Sequence, residues 1–367
     1  MRQVALSDQE RLAWHRLAQS ENVGPITFQK LLSRYGTATA ALEAIPELSQ
    51  RGGLRRPLKI GDAEKAARDL EKARALGATY LALCEPDYPE LLRQSTAPPP
   101  LICFKGKVAL LTTPALSIVG ARNASAAGMR FTRMISSELA EAGQTIVSGL
   151  ARGIDTAAHE AALPFATIAV VAGGIDHFYP PENAKLQQTI AEQGLLLTEM
   201  PPGIVPKAES FPRRNRIIAG LSAGTIVVEA AVRSGSLSTA RFANEAGREV
   251  YAVPGSPLDP RCEGTNGLIK DGAQMLTRAG DALTSITSAT MRQAFLFEEP
   301  TETAPAKSAS AVTRERVLQL LSPTPIELDD LVREAMAETE DVLANLLELE
   351  LAGLVQRQVG GRFVRAT

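Results

Sequence analysis

The sequence predicts an α/β protein: a Rossmann-like parallel sheet core, preceded by an N-terminal helical domain of SAM or helix-hairpin-helix type and followed by a C-terminal winged-helix-like domain. Three observations predict it. Six short apolar runs recur from 115 to 254 at roughly 20- to 30-residue spacing, the rhythm of βαβ units whose strands are buried on both faces. The stretch from about 6 to 95 shows helical periodicity instead. Residues 312–367 read as three helices followed by VQRQVGGRFVRA, two short strands about Gly360 and Gly361, which is a winged-helix plan.

The chain divides by texture into 1–96, a helical domain; 97–296, the Rossmann-like core; 297–311, a linker; and 312–367, the winged-helix-like domain. The first piece holds ENVGPITFQKLLSRYGTATAAL, in which a VGP turn joins two amphipathic helices. Such a turn is either a helix-hairpin-helix, whose backbone NH groups meet a DNA phosphate, or a plain helical hairpin. APPPLICFKG (97–106) closes that piece. The predicted strands are then ALSIVG (115–120), QTIVS (144–148), ATIAVVA (166–172), LLLTE (195–199), TIVVEA (225–230) and EVYAVP (249–254). FEEPTETAPAKSASA, without periodicity and rich in Ala, Thr, Ser, Pro and Glu, is the linker.

Length and composition set limits. A chain of 367 residues with 45% hydrophobic content is a folded protein of about two or three domains. Its 39 Lys and Arg against 41 Asp and Glu give a formal charge of -2, so no global field draws it to nucleic acid or to a membrane. Cys84, Cys103 and Cys262 form no CxxC pair and read as buried thiols of a reducing cytoplasm; no metal site and no cofactor is expected. The opening MRQVALSDQERLAW carries acids and no apolar h-region, and no run of about 18 apolar residues occurs, so a cytoplasmic protein with no membrane partner is expected.

In an open parallel sheet, ligands collect at the carboxyl ends of the strands. Five small-residue loops fall there. VGARNASAAG (119–128) brings Gly120 for close backbone approach, Arg122 as a planar phosphate fork and Ser125 as a cap for the next helix. SGLARGIDTAAH (148–159) brings Gly149, Arg152 and Gly153. AGGIDHFYPPENAKL (172–186) brings Gly174 and Lys185, and PPGIVPKAESFPRRNR (201–216) brings Lys207, Phe211, Arg213, Arg214, Asn215 and Arg216. EAAVRSGSLSTA (229–240) brings Arg233, Ser234, Gly235 and Ser236. None of these loops is GxGxxG or GxxxxGK[ST].

Within SFPRRNRIIAGLS (210–222), Pro212 reads as a helix opener, which places three arginines where the helix macrodipole disfavours cations. An anion at a helix N-terminus explains them, most simply a phosphate. Residues 112–290 hold 15 Lys or Arg and 16 Asp or Glu, so any positive surface must come from clustering; the opposing reading pairs these arginines with Glu199, Glu209 and Glu229. Phe211 and Tyr179 are either base-stacking platforms or core. Asp155 with His159, Asp176 with His177, and Cys262 assemble no catalytic constellation and are read as structural.

IVGARNASAAG, SGLARGID followed by AAH, GGIDHFYPPEN, FPRRNRIIAGLS, VVEAAVRSGSLSTA and AVPGSPLDPRCEGTNGLIKDGA, in this order, resemble the bacterial DNA-processing protein A family, DprA or Smf. The resemblance implies single-stranded DNA binding, loading of the RecA recombinase onto that strand, including in natural transformation, and a homodimer. It assigns DNA contact to Arg122, Lys207 and its neighbours, Phe211 and the Arg214 to Arg216 segment, with Lys185 a further match. ALPFATIAV (162–170) departs from the family, which places a glycine just before the third strand. The alternative is a nucleotide-binding enzyme of the lysine-decarboxylase-like or phosphoribohydrolase class. LSAGTIVVEA keeps Gly224, Thr225 and Glu229 of that class but lacks its preceding PGG.

The third winged-helix segment, TEDVLANLLELELAGL (339–354), carries Glu340, Asp341, Glu348 and Glu350 and no Lys or Arg, which phosphates would repel. This domain is therefore expected to contact protein, or to touch DNA only through Arg357, Arg362 and Arg365.

Overall fold

The computed structural model describes residues 3–53, 56–284, 314–358 and 361–366. The chain runs α1 (Asp8–Ala18), α2 (Pro25–Tyr35), α3 (Ala38–Arg51), α4 (Ala63–Ala75), β1 (Thr79–Ala82), α5 (Glu90–Arg93), β2 (Leu101–Gly106), β3 (Ala115–Val119), α6 (Ala126–Glu141), β4 (Thr145–Ser148), α7 (Ile154–Ala162) and β5 (Thr167–Val170). It continues with α8 (Ala184–Gln193), β6 (Leu195–Thr198), α9 (Ser210–Gly220), β7 (Gly224–Val227), α10 (Ser236–Glu245), β8 (Glu249–Ala252), α11 (Glu263–Lys270) and β9 (Gln274–Met275). Beyond residue 313 come α12 (Arg314–Leu320), α13 (Leu328–Ala335), α14 (Thr339–Leu351), β10 (Val355–Arg357) and β11 (Phe363–Arg365).

The central unit is a nine-stranded sheet in the order β1-β2-β6-β5-β4-β3-β7-β8-β9. β3 to β9 run parallel, while β2 joins β6 antiparallel and β1 joins β2 antiparallel. β4, β5 and β7 are buried along their whole length, as a sheet covered on both faces requires. Leu116, Ile118, Ile146 and Ile226 of the sheet pack with Ile135 and Leu139 of α6 and Ile154 of α7 into one core. The chain steps from β3 outward through β4, β5 and β6, then returns to place β7 on the other side of β3. The strand order thus reverses at β3, and a crevice opens beyond the carboxyl ends of β3, β4 and β7.

All six predicted strands are present. The expected helical domain ending at 96 is corrected: the sheet-bearing unit takes in the chain from Asp69, because TYLA pairs Thr79 to Ala82 with Phe104 to Leu101 as strand β1. The strand was hidden between the strong helical pattern of α4 and a proline-rich stretch. The predicted linker 297–311 lies outside the described residues.

The second compact unit joins the two ends of the chain, residues 6–68 with the winged helix. α1, α2 and α3 pack together, with Trp14 edge-on to Phe28 at 4.9 Å between ring centroids. The winged helix has its own core of Val317, Leu331, Val342, Leu346, Leu349, Val355 and Phe363. β10 pairs with β11, and Ile326 bridges to Phe363. The three cysteines are free and buried, and among the described residues no helix is long and apolar enough to cross a membrane.

Candidate nucleic-acid interface

The crevice is built from the loops that leave β3, β4, β5 and β7, together with the start of α9. Two cavities meet in it. The larger, about 880 Å³, is lined by Arg122, Phe211, Arg214, Asn215 and Arg233 and by Ser234 to Ser236; the smaller, about 200 Å³, lies between Arg122, Gly149, Arg152, Gly173, His177 and Tyr179. Arg122, Tyr179, Phe211 and Arg214 border both. The Arg122 guanidinium stands 5.4 Å over the Phe211 ring, whose other neighbour is Tyr179, at 5.2 Å and tilted by 49°. Cation, ring and ring form a ladder between the cavities.

The loop backbones are fixed from below. Ser125 caps α6, as its position in the first loop predicts, and Glu229 accepts from the Ser125 backbone NH (2.9 Å) and from its hydroxyl. A Cβ at Gly120 would lie 2.7 Å from Cγ1 of Ile154, so this residue admits close packing of loop on helix. Asp155 accepts from the NH groups of Gly149 (3.1 Å) and Ala151 (3.3 Å), and the Asn183 amide donates to the carbonyl of Leu150. Burial raises the Asp155 carboxyl, against the pull of Arg214 and these NH groups. His159 is fully buried with Nδ1 2.7 Å from the Thr167 hydroxyl, and burial pushes it down to about 3. Asp155 therefore holds the loop, and His159 is bonded to Thr167 of β5 beneath it. Among the described residues no group of three metal-ligating side chains occurs.

The arginines of the RRNR segment part company. α9 opens at Ser210, two residues before Pro212, so Arg213 closes its first turn and Arg214 and Arg216 lie beyond it, and their conflict with the macrodipole is smaller than the sequence implied. Arg213 pairs with Glu199 at 3.2 Å, and Arg216 turns to the same carboxylate and to the carbonyl of Ala97. Both are neutralised, which corrects the expectation that they face the crevice as free cations. Arg214 is only 6% exposed. It donates to the carbonyls of Gly149 (2.7 Å) and Val170 and to Oδ1 of Asn215 (3.2 Å), and a Cβ at Gly149 would collide with its guanidinium.

Burial brings Arg214 down to about 10, with Asp155 opposing and Arg122 adding to the drop, so it remains charged at neutral pH. Its acceptors are dipoles, and no carboxylate reaches it within salt-bridge distance.

Other expected residues distribute as follows. Arg152 is exposed and stands 3.7 Å from Glu182. Gly174 packs against the carbonyl of Pro201, and Gly173 lines the smaller cavity in its place. Lys207 lines a side cavity of about 240 Å³ with Arg213 and Arg214, whereas Lys185, on α8, borders none of these three cavities. Asn215 ties α9 to the β7–α10 loop through the carbonyl of Gly235 (3.2 Å) and the hydroxyl of Ser238 (2.9 Å). Ser234 and Ser236 bond to each other at 2.6 Å along the wall of the larger cavity. Sequence reasoning left out Arg261, which lines that wall held by both oxygens of Asp259; the loop text PLDPRC carries no signal for it. Among the described residues, Arg122, Lys185, Lys207, Arg214 and Arg233 have no carboxylate partner, and all but Lys185 border the crevice or its side cavity.

Residues 79–287 match the family model described as DNA recombination-mediator protein A, 8–72 a DprA-like N-terminal HHH domain and 300–361 a DprA winged helix domain. The chain belongs to the DNA recombination-mediator protein A family. It is 32% identical to protein Smf of Synechocystis sp. over 98% of this chain and 100% of that protein, and 46% identical to the DNA processing protein DprA of Streptococcus pneumoniae over 53% of this chain and 70% of that one. The X-ray structure of DprA from S. pneumoniae superposes with a TM-score of 0.66 at 34% identity, covering 76% of this chain and 98% of that one. A Helicobacter pylori DNA processing protein A, solved for its single-stranded DNA binding mode, matches with a TM-score of 0.53 at 32% identity, over 58% of this chain and 96% of that one. Members of this family are mediators of DNA recombination rather than enzymes.

Proposed function

We propose that the crevice binds single-stranded DNA and that the chain, acting as a homodimer, loads the RecA recombinase onto that strand, including strands taken up in natural transformation. The observation that carries the DNA reading is the pair Arg122 and Arg214, neither of them in a salt bridge: one guanidinium exposed on an aromatic ring, one buried at the strand ends and only partly offset by Asp155, so that an anion between them relieves their mutual repulsion. Phosphates satisfy the cations, and Phe211 and Tyr179 offer ring faces to unpaired bases without sequence readout. The H. pylori relative named for single-stranded DNA binding supports the ligand; the description of the family as recombination mediators supports the RecA step.

The enzymatic alternative loses its acid. Glu229 is 6% exposed and held at the start of α6 by Ser125, so it is spent on the loop. Titrating an oligothymidine of about 30 nucleotides against mononucleotides tests the ligand: the oligomer is expected to bind far more tightly, with log affinity falling by about 0.7 per neutralised phosphate per decade of salt. Equal affinity for a mononucleotide would overturn the reading. For the mediator step, RecA ATP hydrolysis on a strand already coated with single-strand-binding protein is expected to start sooner when the chain is present. An unchanged lag would remove RecA loading.

A further inference from the structure

A winged helix that reads duplex DNA turns the outer face of its third helix to the groove. Here that helix, α14, packs on α2 and α3 within the same compact unit. Leu347 and Leu351, one turn apart, are 3% and 0% exposed, yet neither belongs to the core of the winged helix itself. Their cover is the N-terminal helices. The fit is close: a Cβ at Gly52, just past the end of α3, would run into the Glu348 carbonyl and lie 2.9 Å from Cβ of Ala352.

Polar groups fix the register of this contact. The Asn22 amide, in the turn between α1 and α2, donates to the carbonyl of Leu351 at 2.9 Å and so satisfies one of the carbonyls that the end of α14 leaves free. Lys30 of α2 pairs with Glu350 at 3.1 Å, and Glu350 is only 8% exposed. Arg357 of β10 approaches the same carboxylate at 3.9 Å, and Lys30 and Arg357 lie 5.9 Å and 4.7 Å from the centre of the Phe363 ring. Breaking a buried pair from one side leaves an uncompensated charge, so such a pair penalises any other seating of the two surfaces.

We propose that the winged helix is a protein-docking domain whose third helix recognises the N-terminal helices of its own chain in place of a DNA groove, with Lys30, Glu350 and Asn22 as the polar key. The two ends of the chain then fold and open together. Of the wing arginines expected to touch DNA, Arg357 lies behind the contact, 3.9 Å from the Glu350 carboxylate that Lys30 reaches. Of the acids of α14, Glu350 is the one that meets the partner surface, through Lys30.

Amide hydrogen exchange on the full chain tests this with Lys30→Glu, Glu350→Lys and the two together. Lys30→Glu lies outside the winged helix, so its effect on α14 reads the interface and not a local collapse of that domain. Each single reversal is expected to speed exchange in both α2 and α14 by about tenfold or more, and the double reversal to recover most of the protection. Faster exchange confined to the helix carrying the substitution, or a double variant no better than either single one, overturns the proposal. So does protection of α14 amides by added duplex DNA of about 30 base pairs, which would make the helix a groove reader after all.

Discussion

Arg122 and Phe211 touch each other but contribute different physics. Arg122 is an exposed cation without a carboxylate partner, so Arg122→Ala is expected to lower affinity for any oligonucleotide sequence and to flatten the dependence of log affinity on log salt by about 0.7, one phosphate on a single strand. An unchanged slope in a salt titration would remove Arg122 from the phosphate path. Phe211→Ala is expected to cost about 1 to 3 kcal/mol of binding with the slope intact, because stacking releases no counterions. Arg214 is a poor position for the same test: an alanine there strands the buried carbonyls of Gly149 and Val170, so folding and binding would fail together.

His159 gives a pH prediction with a definite sign. The folded protein holds it near 3 against 6.5 for the free side chain, so between those values the unfolded chain carries a proton that the folded one refuses. Its stabilising contribution is complete above about 6.5 and is lost as pH falls toward 3, at up to about 1.4 kcal/mol per pH unit. Denaturant melts of the parent and of His159→Gln from pH 7 to pH 5 should differ in slope by that amount. The raised carboxyl of Asp155 works in the opposite direction but is common to both proteins. Parallel slopes would mean that the imidazole reaches water.

The loops owe their shape to how the strands and helices begin and end. Gly153, with φ of 76°, starts α7 in a backbone conformation that a side chain resists, and a Cβ there would strike the carbonyl of Ala121, in the loop that carries Arg122. Gly153→Ala is therefore expected to lower stability by about 2 kcal/mol or more and to weaken oligonucleotide binding at a distance from any phosphate, as read by thermal melting and titration together. Binding lost without a change in melting would instead make Gly153 a direct contact.

Much of this element pattern was legible. The six strands from β3 to β8 are continuous apolar runs because both faces of the sheet are covered, and the loops at their ends are small-residue clusters. β1, β2 and β9 were not read as strands: β1 and β9 are four and two residues long at the two edges of the sheet, where burial imposes little pattern, and β2 follows directly on a run of prolines. The arginines were legible as a cluster, but not in their division. Which guanidinium meets Glu199 depends on where α9 begins and on a carboxylate 14 to 17 residues upstream, and neither is written in the RRNR text itself.

The crevice and the docked chain ends lie in separate compact units, and each unit encloses its own apolar core. A deletion in one should therefore leave the chemistry of the other standing. Every cation and ring invoked for the strand path, from Arg122 to Arg233, belongs to the sheet-bearing unit, while the first turn of α14 in the winged helix carries the acids Glu340 and Asp341. Removing residues 312–367 is expected to keep oligothymidine affinity within about threefold of the full chain, less than 1 kcal/mol, with the same salt slope. The same deletion uncovers the surface of α2 and α3 that Leu347 and Leu351 bury, so faster amide exchange in those helices is expected alongside unchanged binding. Loss of most of the affinity, with the sheet-bearing unit still folded by circular dichroism, would place the main strand contacts in the winged helix and leave the paired guanidinium groups of the crevice without their ligand.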